Sequence, residues 1–164
     1  MVSSPGFQIR MQDDGSGEIC RRILSELPTW FGVPESVEDY VAKADEHPTV
    51  VVALQGEDVG ILTLVLHTPY AAEVYVMGVL PEHHRHGIGR QMLEFAETWL
   101  RGRDIEYLQV KTLSPRKPDP GYARTRDFYF ACGFRPLEEF PELWQPENPA
   151  LQMIKHLGPR SPSH

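Results

Sequence analysis

The apolar positions between residues 73 and 100 change from strand-like to helix-like spacing. Residues 73–79 (EVYVMGV) are mostly β-branched, aromatic or otherwise apolar, which predicts a strand that ends at Leu80-Pro81. Farther on, apolar residues recur at three- and four-residue spacing with polar side chains between them, which predicts an amphipathic helix. Its predicted buried stripe is Ile88, Met92, Phe95, Ala96, Trp99 and Leu100. A basic loop containing two glycines joins this strand to this helix.

In the first 44 residues, the pattern predicts one strand and two helices. Residues 7–11 alternate as in a strand. A helical stripe follows, which Pro28 is expected to end; it consists of Ile19, Cys20, Ile23, Leu24 and Leu27. Ser36 is the predicted N-cap of a second helix. The buried positions of that helix would be Val37, Tyr40, Val41 and Ala44.

Two dense apolar runs precede the strand at 73–79. Residues 49–54 and 59–66 are rich in Val, Leu and Ile, and residues 56–58 (GED) between them predict a hairpin turn. The chain therefore predicts three consecutive antiparallel strands before the glycine-containing loop.

The C-terminal third predicts three more strands and a short helix. Residues 105–113 form a predicted strand that should lie parallel to strand 73–79, because a helix connects the two. A proline-rich loop leads to a short helix for which Gly133 is a suitable C′ residue. Residues 134–140 and 150–157 are the last predicted strands. The expected fold is a single α/β (α+β) domain with a mixed, mostly antiparallel twisted sheet, a central parallel strand pair and flanking helices.

Composition limits the classes of function. A chain of 164 residues fits one domain, and we expect that domain to span residues 1–164 with an ordered core at about 7–157. A net charge of −7 argues against nucleic acid or an anionic membrane as partner and mildly favours cationic substrates. Cys20 and Cys132 are expected to be buried free thiols. With no long apolar run and no signal-like start, we expect a soluble, cytoplasmic protein.

The loop before the long helix has the features of an anion site. Two glycines at the start of a helix let an anion approach backbone N–H groups at the positive end of the helix dipole. Basic side chains surround them, so a pyrophosphate would fit; the loop reads His84, Arg85, His86, Gly87, Ile88, Gly89, Arg90. The glycines could instead only permit a tight entry into the helix, and the pattern G-x-G leaves both interpretations open.

Two segments together resemble the GNAT superfamily of N-acetyltransferases. Residues 84–89 (HRHGIG), placed between a strand and an amphipathic helix, are similar to the family's acyl-coenzyme-A loop, Gln/Arg-x-x-Gly-x-Gly/Ala, with His84 in the usual Gln or Arg place. Residues 125–134 (TRDFYFACGF) resemble its Ala-x-x-Phe-Tyr-x-x-x-Gly-Phe element, with Thr125 for Ala and Tyr122 in the usual Asn place. The resemblance covers about residues 7–157.

The resemblance implies acetyl transfer from acetyl-CoA to a primary amine of a small molecule or a peptide by direct attack on the thioester. In this family the cofactor contacts come from the central strand and the loop after it. Carried over to this chain, they are Met77, Gly78, Val79, His84, Arg85, His86, Gly87, Ile88, Gly89 and Arg90. Arg124 and Arg126 flank the helix that carries Tyr129; they either meet the adenosine phosphates, for which Arg126 is the chosen candidate, or are simply solvated. Trp30 and Phe31 belong to a loop that borders the acceptor site in the family, although aromatic residues in a loop can also seal a core edge.

Three catalytic tasks have candidates. An alkylammonium with a pKa of about 10.4 needs a base, and Glu73 matches a position where some family members carry one; otherwise Glu73 is a strand-end residue facing water. Gly78 is expected at a β-bulge that frees amides for the oxyanion, or else is a small residue under a packed helix. Tyr129 matches the family's general acid for the leaving thiolate, with a core tyrosine as its alternative.

Other functions fit the pattern less well. His83, His84 and His86 lack the further ligands of a metal site, so no metal is expected. A Rossmann enzyme would need a third glycine where Met92 stands. The alternative from another class is a non-catalytic acyl-CoA sensor that keeps the groove. The acceptor's identity and a homodimer are left open, since fold alone does not settle function.

Overall fold

The structure, a computed structural model, describes residues 2–4, 6–28, 30–31 and 33–159. Its strands are β1 (Val2–Ser4), β2 (Phe7–Gln12), β3 (Thr49–Leu54), β4 (Glu57–Leu66), β5 (Ala71–Val79), β6 (Tyr107–Leu113), β7 (Arg135–Phe140) and β8 (Ala150–His156). Its helices are α1 (Gly17–Ser25), α2 (Pro34–Glu46), α3 (Ile88–Arg101) and α4 (Pro120–Ala131), with a short 3-10 turn at Pro81–His83. Among the described residues, no helix combines the length and apolarity that a membrane span requires.

All eight strands form one mixed sheet, in the order β1-β2-β3-β4-β5-β6-β8-β7. The central pair β5–β6 is parallel, and the remaining neighbours are antiparallel. This confirms the fold class predicted from the sequence, including the parallel pair that a connecting helix requires.

The helices cover the two faces of this sheet. Gly60 and Gly78 lie on adjacent strands but on opposite faces: a Cβ on Gly60 would meet Met92 of α3 at 3.3 Å, whereas a Cβ on Gly78 would meet Leu24 of α1 at 3.4 Å. Helix α2 packs on α1, and α4 joins the face of α3 because Phe128 of α4 lies against Gly89. The core fills both interfaces; its largest fully buried side chains include Ile9, Ile23, Leu24, Leu62, Leu64, Met92, Leu93, Leu108, Phe134 and Met153.

Two predicted boundaries are wrong. Helix α2 begins at Pro34 with Val33 in the N-cap position, so Ser36 is an exposed helical residue instead of the cap. Proline is suited to a first helical position because its missing N–H group has no intrahelical partner there. In the hairpin, the turn is Gln55-Gly56, with φ angles of 52° and 81°, which suits a two-residue turn. Glu57 therefore already belongs to β4.

The parallel pair separates halfway along its length. Strands β5 and β6 pair from Ala71↔Tyr107 to Val74↔Val110, and within the described residues the ladder stops there. Beyond that point β5 continues beside β4 to Val79, while β6 continues beside β8 to Leu113. The sheet thus opens into a wedge at its centre.

A bulge on β5 lies at the start of this wedge. Thr63 pairs with Val76 and Leu64 pairs with Val74, which leaves Tyr75 as the extra residue. The prediction of a bulge at Gly78 is wrong, because Gly78 pairs regularly with Ile61. Its alternative is confirmed: a Cβ there would lie 3.0 Å from Leu27 Cδ1, so Gly78 keeps room for the segment packed above it.

Candidate active site

The wedge between β5 and β6 opens into a cavity of about 1080 Å³. Strands β5 and β6 form its floor, the loop before α3 and helix α4 form one wall, and α2 with the segment before it forms the other. Glu73 and Tyr129, predicted from different motifs far apart in sequence, both line this one cavity.

The start of α3 presents backbone amides to the cavity. Gly87 is the N-cap residue with φ 77°, and no side chain in the described part of the chain caps this helix end. The first intrahelical bond runs from the Gln91 amide to the Gly87 carbonyl at 3.0 Å, so the amides of the first turn have no acceptor within the helix. Arg85, also at positive φ (66°), lines the cavity beside them. Helix dipole, amides and guanidinium together suit a bound phosphate.

The two glycines of the loop are needed for different reasons. A Cβ on Gly87 would meet nothing within 4 Å, so its glycine is required by the left-handed backbone conformation. A Cβ on Gly89 would lie 3.1 Å from Phe128 Cζ and 3.2 Å from Met77 Cε, so that glycine is required by packing. Tight entry into the helix and an accessible anion site are therefore compatible in this loop.

Most of the predicted cofactor residues line the cavity. These are Met77, Gly78, Val79, His84, Arg85, Gly87, Ile88, Gly89 and Arg90. His86 and Arg126 are not among the lining residues, and the Arg126 guanidinium instead donates to the Leu113 carbonyl at 2.6 Å. Arg124, two residues earlier and so on the other side of α4, lines the cavity in its place. The ring of His84 is held by a contact of 2.7 Å between its Nε2 and the Val79 carbonyl oxygen.

Glu73 is a buried carboxylate with two partners. It is 5% exposed; its Oε1 lies 2.7 Å from His67 Nε2, and its Oε2 accepts a hydrogen bond from Lys111 Nζ at 3.1 Å. The interpretation of Glu73 as a residue facing bulk water is therefore wrong. Sequence reasoning did not identify His67 or Lys111. Alternation along β6 could have found Lys111, because Glu73 pairs with Gln109 and side chains two residues apart share a face.

Tyr129 brings a phenol to the cavity from α4. Its ring is 6% exposed and packs edge-on against Phe128 and Phe134, with 5.4 Å between ring centroids in each pair. The only hydrogen-bond acceptor of its hydroxyl among the described residues is the weak one of Met77 Sδ, at 3.8 Å. Burial raises the pKa of Tyr129 well above its ordinary value, so the phenol keeps its proton at neutral pH. It is therefore available as a hydrogen-bond and proton donor.

The opposite wall is aromatic and acidic. Phe31, Tyr40 and Tyr75 form an edge-to-face series with centroid separations of 5.7 and 5.8 Å, and the Tyr75 hydroxyl donates to the Asp39 carboxylate. Burial raises the pKa of Tyr40 to about 12, so this hydroxyl is also neutral. Glu35 and Asp39 of α2 line the cavity here, whereas the lining arginines Arg85, Arg90 and Arg124 lie on the wall of the glycine loop and α4.

Trp30 connects the two walls. It lines the cavity as predicted, and its ring meets that of His84 edge-on at 6.1 Å between centroids. Its carbonyl accepts a hydrogen bond of 3.2 Å from the Tyr122 hydroxyl on α4. The segment before α2 is thus attached both to the glycine loop and to the helix that carries Tyr129.

Comparison with solved structures supports the fold. A GNAT-family acetyltransferase structure from Desulfovibrio desulfuricans has a TM-score of 0.80 at 18% identity, covering 93% of this chain and 99% of that one. The ribosomal-protein-S18-alanine N-acetyltransferase of Escherichia coli has a TM-score of 0.72 at 14% identity, covering 96% and 99%. A GNAT-family acetyltransferase of Elizabethkingia anophelis, solved with acetyl-CoA bound, has a TM-score of 0.70 at 13% identity, covering 93% and 99%.

Sequence comparison identifies the family. Among curated proteins, none matches the chain significantly. The family model described as "Acetyltransferase (GNAT) domain" matches residues 45–136, which is more than half of the chain and includes Glu73, the glycine loop and Tyr129. The chain therefore belongs to the GNAT acetyltransferase family.

Proposed function

We propose that the protein transfers an acetyl group from acetyl-CoA to a primary amine by direct attack of the amine on the thioester. The observation that carries the proposal is that Glu73 and Tyr129 line one cavity at the split between β5 and β6, Glu73 from the face of the sheet that α2 covers and Tyr129 from the face that α4 covers. A proton acceptor is thereby available to the attacking amine, and a proton donor is available to the departing sulfur of the same thioester.

The glycine loop fits the anionic part of acetyl-CoA. Amides at the N-terminus of α3 that have no partner among the described residues, together with Arg85, Arg90 and Arg124, offer hydrogen bonds and positive charge to a pyrophosphate. When bound, acetyl-CoA supplies the activated acetyl group. Met77, Gly78 and Val79 line the cavity where β5 has left β6, so this stretch of backbone is within reach of the pantetheine arm.

Glu73 is the proposed acceptor of the amine proton, directly or through water. Its Oε1 contacts His67, whose side chain is 42% exposed, so a proton taken inside the cavity has a route to solvent. Its Oε2 is held by Lys111, which fixes the orientation of the carboxylate and matches its charge. A positioned base of this kind contributes about 10²- to 10⁴-fold to a rate.

Tyr129 is the proposed donor to the departing sulfur. A phenol that burial keeps protonated can hydrogen-bond the thiolate as the C–S bond breaks and can then transfer its proton to it. The sulfur leaves as a thiol, the amine becomes an amide, and the tyrosinate regains its proton from solvent. The weak sulfur contact of the free hydroxyl leaves it available for this role.

The wall formed by α2 suits a cationic amine. Glu35 and Asp39 provide negative charge, and the rings of Phe31 and Tyr40 offer cation–π contacts to an ammonium group, as Tyr75 already does to Lys43 Nζ at 5.5 Å from its centroid. Positive charge stands on the other wall, so the cavity separates an anionic donor from a cationic acceptor. Both small amines and peptide amines have this chemistry, and a panel of both, followed by thiol release, would distinguish them.

Tyr129→Phe tests the mechanism. We expect kcat to fall about a hundredfold or more while the Kd of CoA in calorimetry stays unchanged, because only the proton donor is removed. Tyr107→Phe is the matched control, since Tyr107 is an exposed tyrosine of β6 outside the cavity lining. Unchanged turnover in Tyr129→Phe would contradict the assignment. Absence of turnover in the unaltered protein with every amine, despite binding of acetyl-CoA, would favour a sensor.

A further inference from the structure

Thr112 carries a buried hydroxyl for which the described part of the protein provides no hydrogen bond. The residue lies near the end of β6 and is 3% exposed, and its Oγ1 has no partner. A buried hydroxyl without a partner destabilises a fold, and such groups are uncommon in native proteins. Thr112 also lines the cavity. Thr112 therefore belongs to the wall of a space large enough for a ligand, although its hydroxyl oxygen is not exposed to that space in the unliganded protein.

The register of the sheet places this hydroxyl on the side of Tyr129. Lys111 reaches Glu73 on the face covered by α2, and successive side chains on a strand point to opposite faces. Thr112 therefore points to the other face, where α4 packs on β6 and where Phe128 meets Gly89. Lys111 and Thr112, adjacent in sequence, thus point to opposite faces of the sheet at the same split.

Burial of an unpartnered hydroxyl is not by itself a sign of ligand binding, as Ser16 shows. Ser16 precedes α1, is fully buried, and its Oγ also lacks a partner among the described residues. It does not line the cavity. The two hydroxyls therefore share one energetic defect and differ in whether a ligand could relieve it.

We propose that the Thr112 hydroxyl hydrogen-bonds the thioester–pantetheine end of bound acetyl-CoA, on the same side of the split as Tyr129. This inference rests on the proposed function, because it takes acetyl-CoA as the ligand of the cavity. A hydroxyl can donate to the thioester carbonyl or accept from a pantetheine amide, so either group satisfies it. Thr112 then makes its missing hydrogen bond only in the complex, and the cost of burying the hydroxyl is recovered on binding.

Thr112→Val tests the proposal, because ligand binding and stability should change in opposite directions. Without ligand, the melting temperature should rise by about 2–4 °C, since an unpartnered hydroxyl becomes a methyl group of similar size. The Kd of acetyl-CoA in calorimetry should rise about tenfold, since one hydrogen bond to the ligand is lost. Thr112→Ser, which keeps the hydroxyl, should bind acetyl-CoA like the unaltered protein.

Ser16→Ala is the matched control and should raise the melting temperature without changing either affinity. Comparing acetyl-CoA with CoA locates the bond: a loss confined to acetyl-CoA assigns it to the thioester carbonyl, and an equal loss for both assigns it to the pantetheine arm. Unchanged affinity in Thr112→Val overturns the inference, and Thr112→Ala gives the same test if the valine variant does not fold. Failure of the unaltered protein to bind acetyl-CoA would instead refute the proposed function.

Discussion

Two buried carboxylates, Glu73 on β5 and Glu97 on α3, resemble each other in exposure and partners but differ in what they face. Glu97 is 4% exposed; Lys155 Nζ lies 2.9 and 3.0 Å from its two oxygens, and Arg101 lies at 3.4 Å. Lys155 also donates to the Cys132 carbonyl, so this cluster joins α3 to β8 and to the end of α4. Only Glu73 lines the cavity.

The difference shows that burial and an ion pair do not identify a catalytic carboxylate. Glu97 has its charge compensated by Lys155 and by Arg101, whose side chain is 47% exposed, in a cluster that holds elements together. Glu73 has one partner that matches its charge and one, His67, that extends toward solvent. What separates the two residues is access to a reactant, and that property belongs to the wedge between the strands.

The largest effect is expected for Glu73→Gln. The amide keeps the shape of the side chain but cannot take up the proton of the amine, so kcat/KM should fall about a thousandfold. The measurement is thiol release from acetyl-CoA at saturating amine. Stability should fall less than in the Glu97 variant, because Lys111 borders the cavity and water there can solvate it. Retained turnover in a folded Glu73→Gln protein would remove Glu73 from the mechanism.

Glu97→Gln should lower the stability of the protein and leave its turnover unchanged. The substitution leaves the Lys155 ammonium with the Cys132 carbonyl but without its carboxylate, and the free energy of unfolding should fall by about 2 kcal/mol. Urea titration followed by fluorescence measures this loss. Turnover per folded molecule should stay at the level of the unaltered protein. A large loss of kcat in fully folded Glu97→Gln would end the distinction between the two carboxylates.

A smaller effect is expected on the pH dependence of stability, from the buried thiol of Cys20. Burial raises the pKa of the Cys20 thiol from 9.0 to about 12, so the folded protein keeps a proton that the unfolded chain releases. Stability from this group is complete below pH 9 and is lost as pH rises toward 12. Cys20→Ala should therefore show a shallower decline of unfolding free energy between pH 9 and 12. An identical decline in both proteins would show that Cys20 does not contribute.

Local pattern was sufficient for most of the fold. The switch from strand to helix spacing around residues 79–88 located β5, the glycine loop and α3, and a connecting helix implied that β6 is parallel to β5. Gly133, with φ 99°, ends α4 as predicted, because its conformation is a local requirement. These features depend on residues close together in sequence.

The features that the sequence pattern did not predict depend on residues that are distant in sequence and close in space. Gly78 suggested a bulge, but the segment packed above it required the glycine, and the bulge lies at Tyr75. Arg126 was predicted as a phosphate contact, but the position of α4 directs it to the Leu113 carbonyl and places Arg124 at the cavity. Thr112 had no sequence signal, since a threonine in a strand is ordinary until its partners are known.

The double attachment of Trp30 has a consequence for how the two substrates bind. Its ring lies against His84 of the glycine loop, and its carbonyl is held by Tyr122 of α4, while its own segment borders the acceptor wall. If the glycine loop shifts when acetyl-CoA binds, the contact between His84 and Trp30 would move the segment that borders the acceptor wall. Thermodynamic reciprocity then requires the amine to change the affinity for the donor by the same factor. Ordered or cooperative substrate addition would have its physical origin in this one tryptophan.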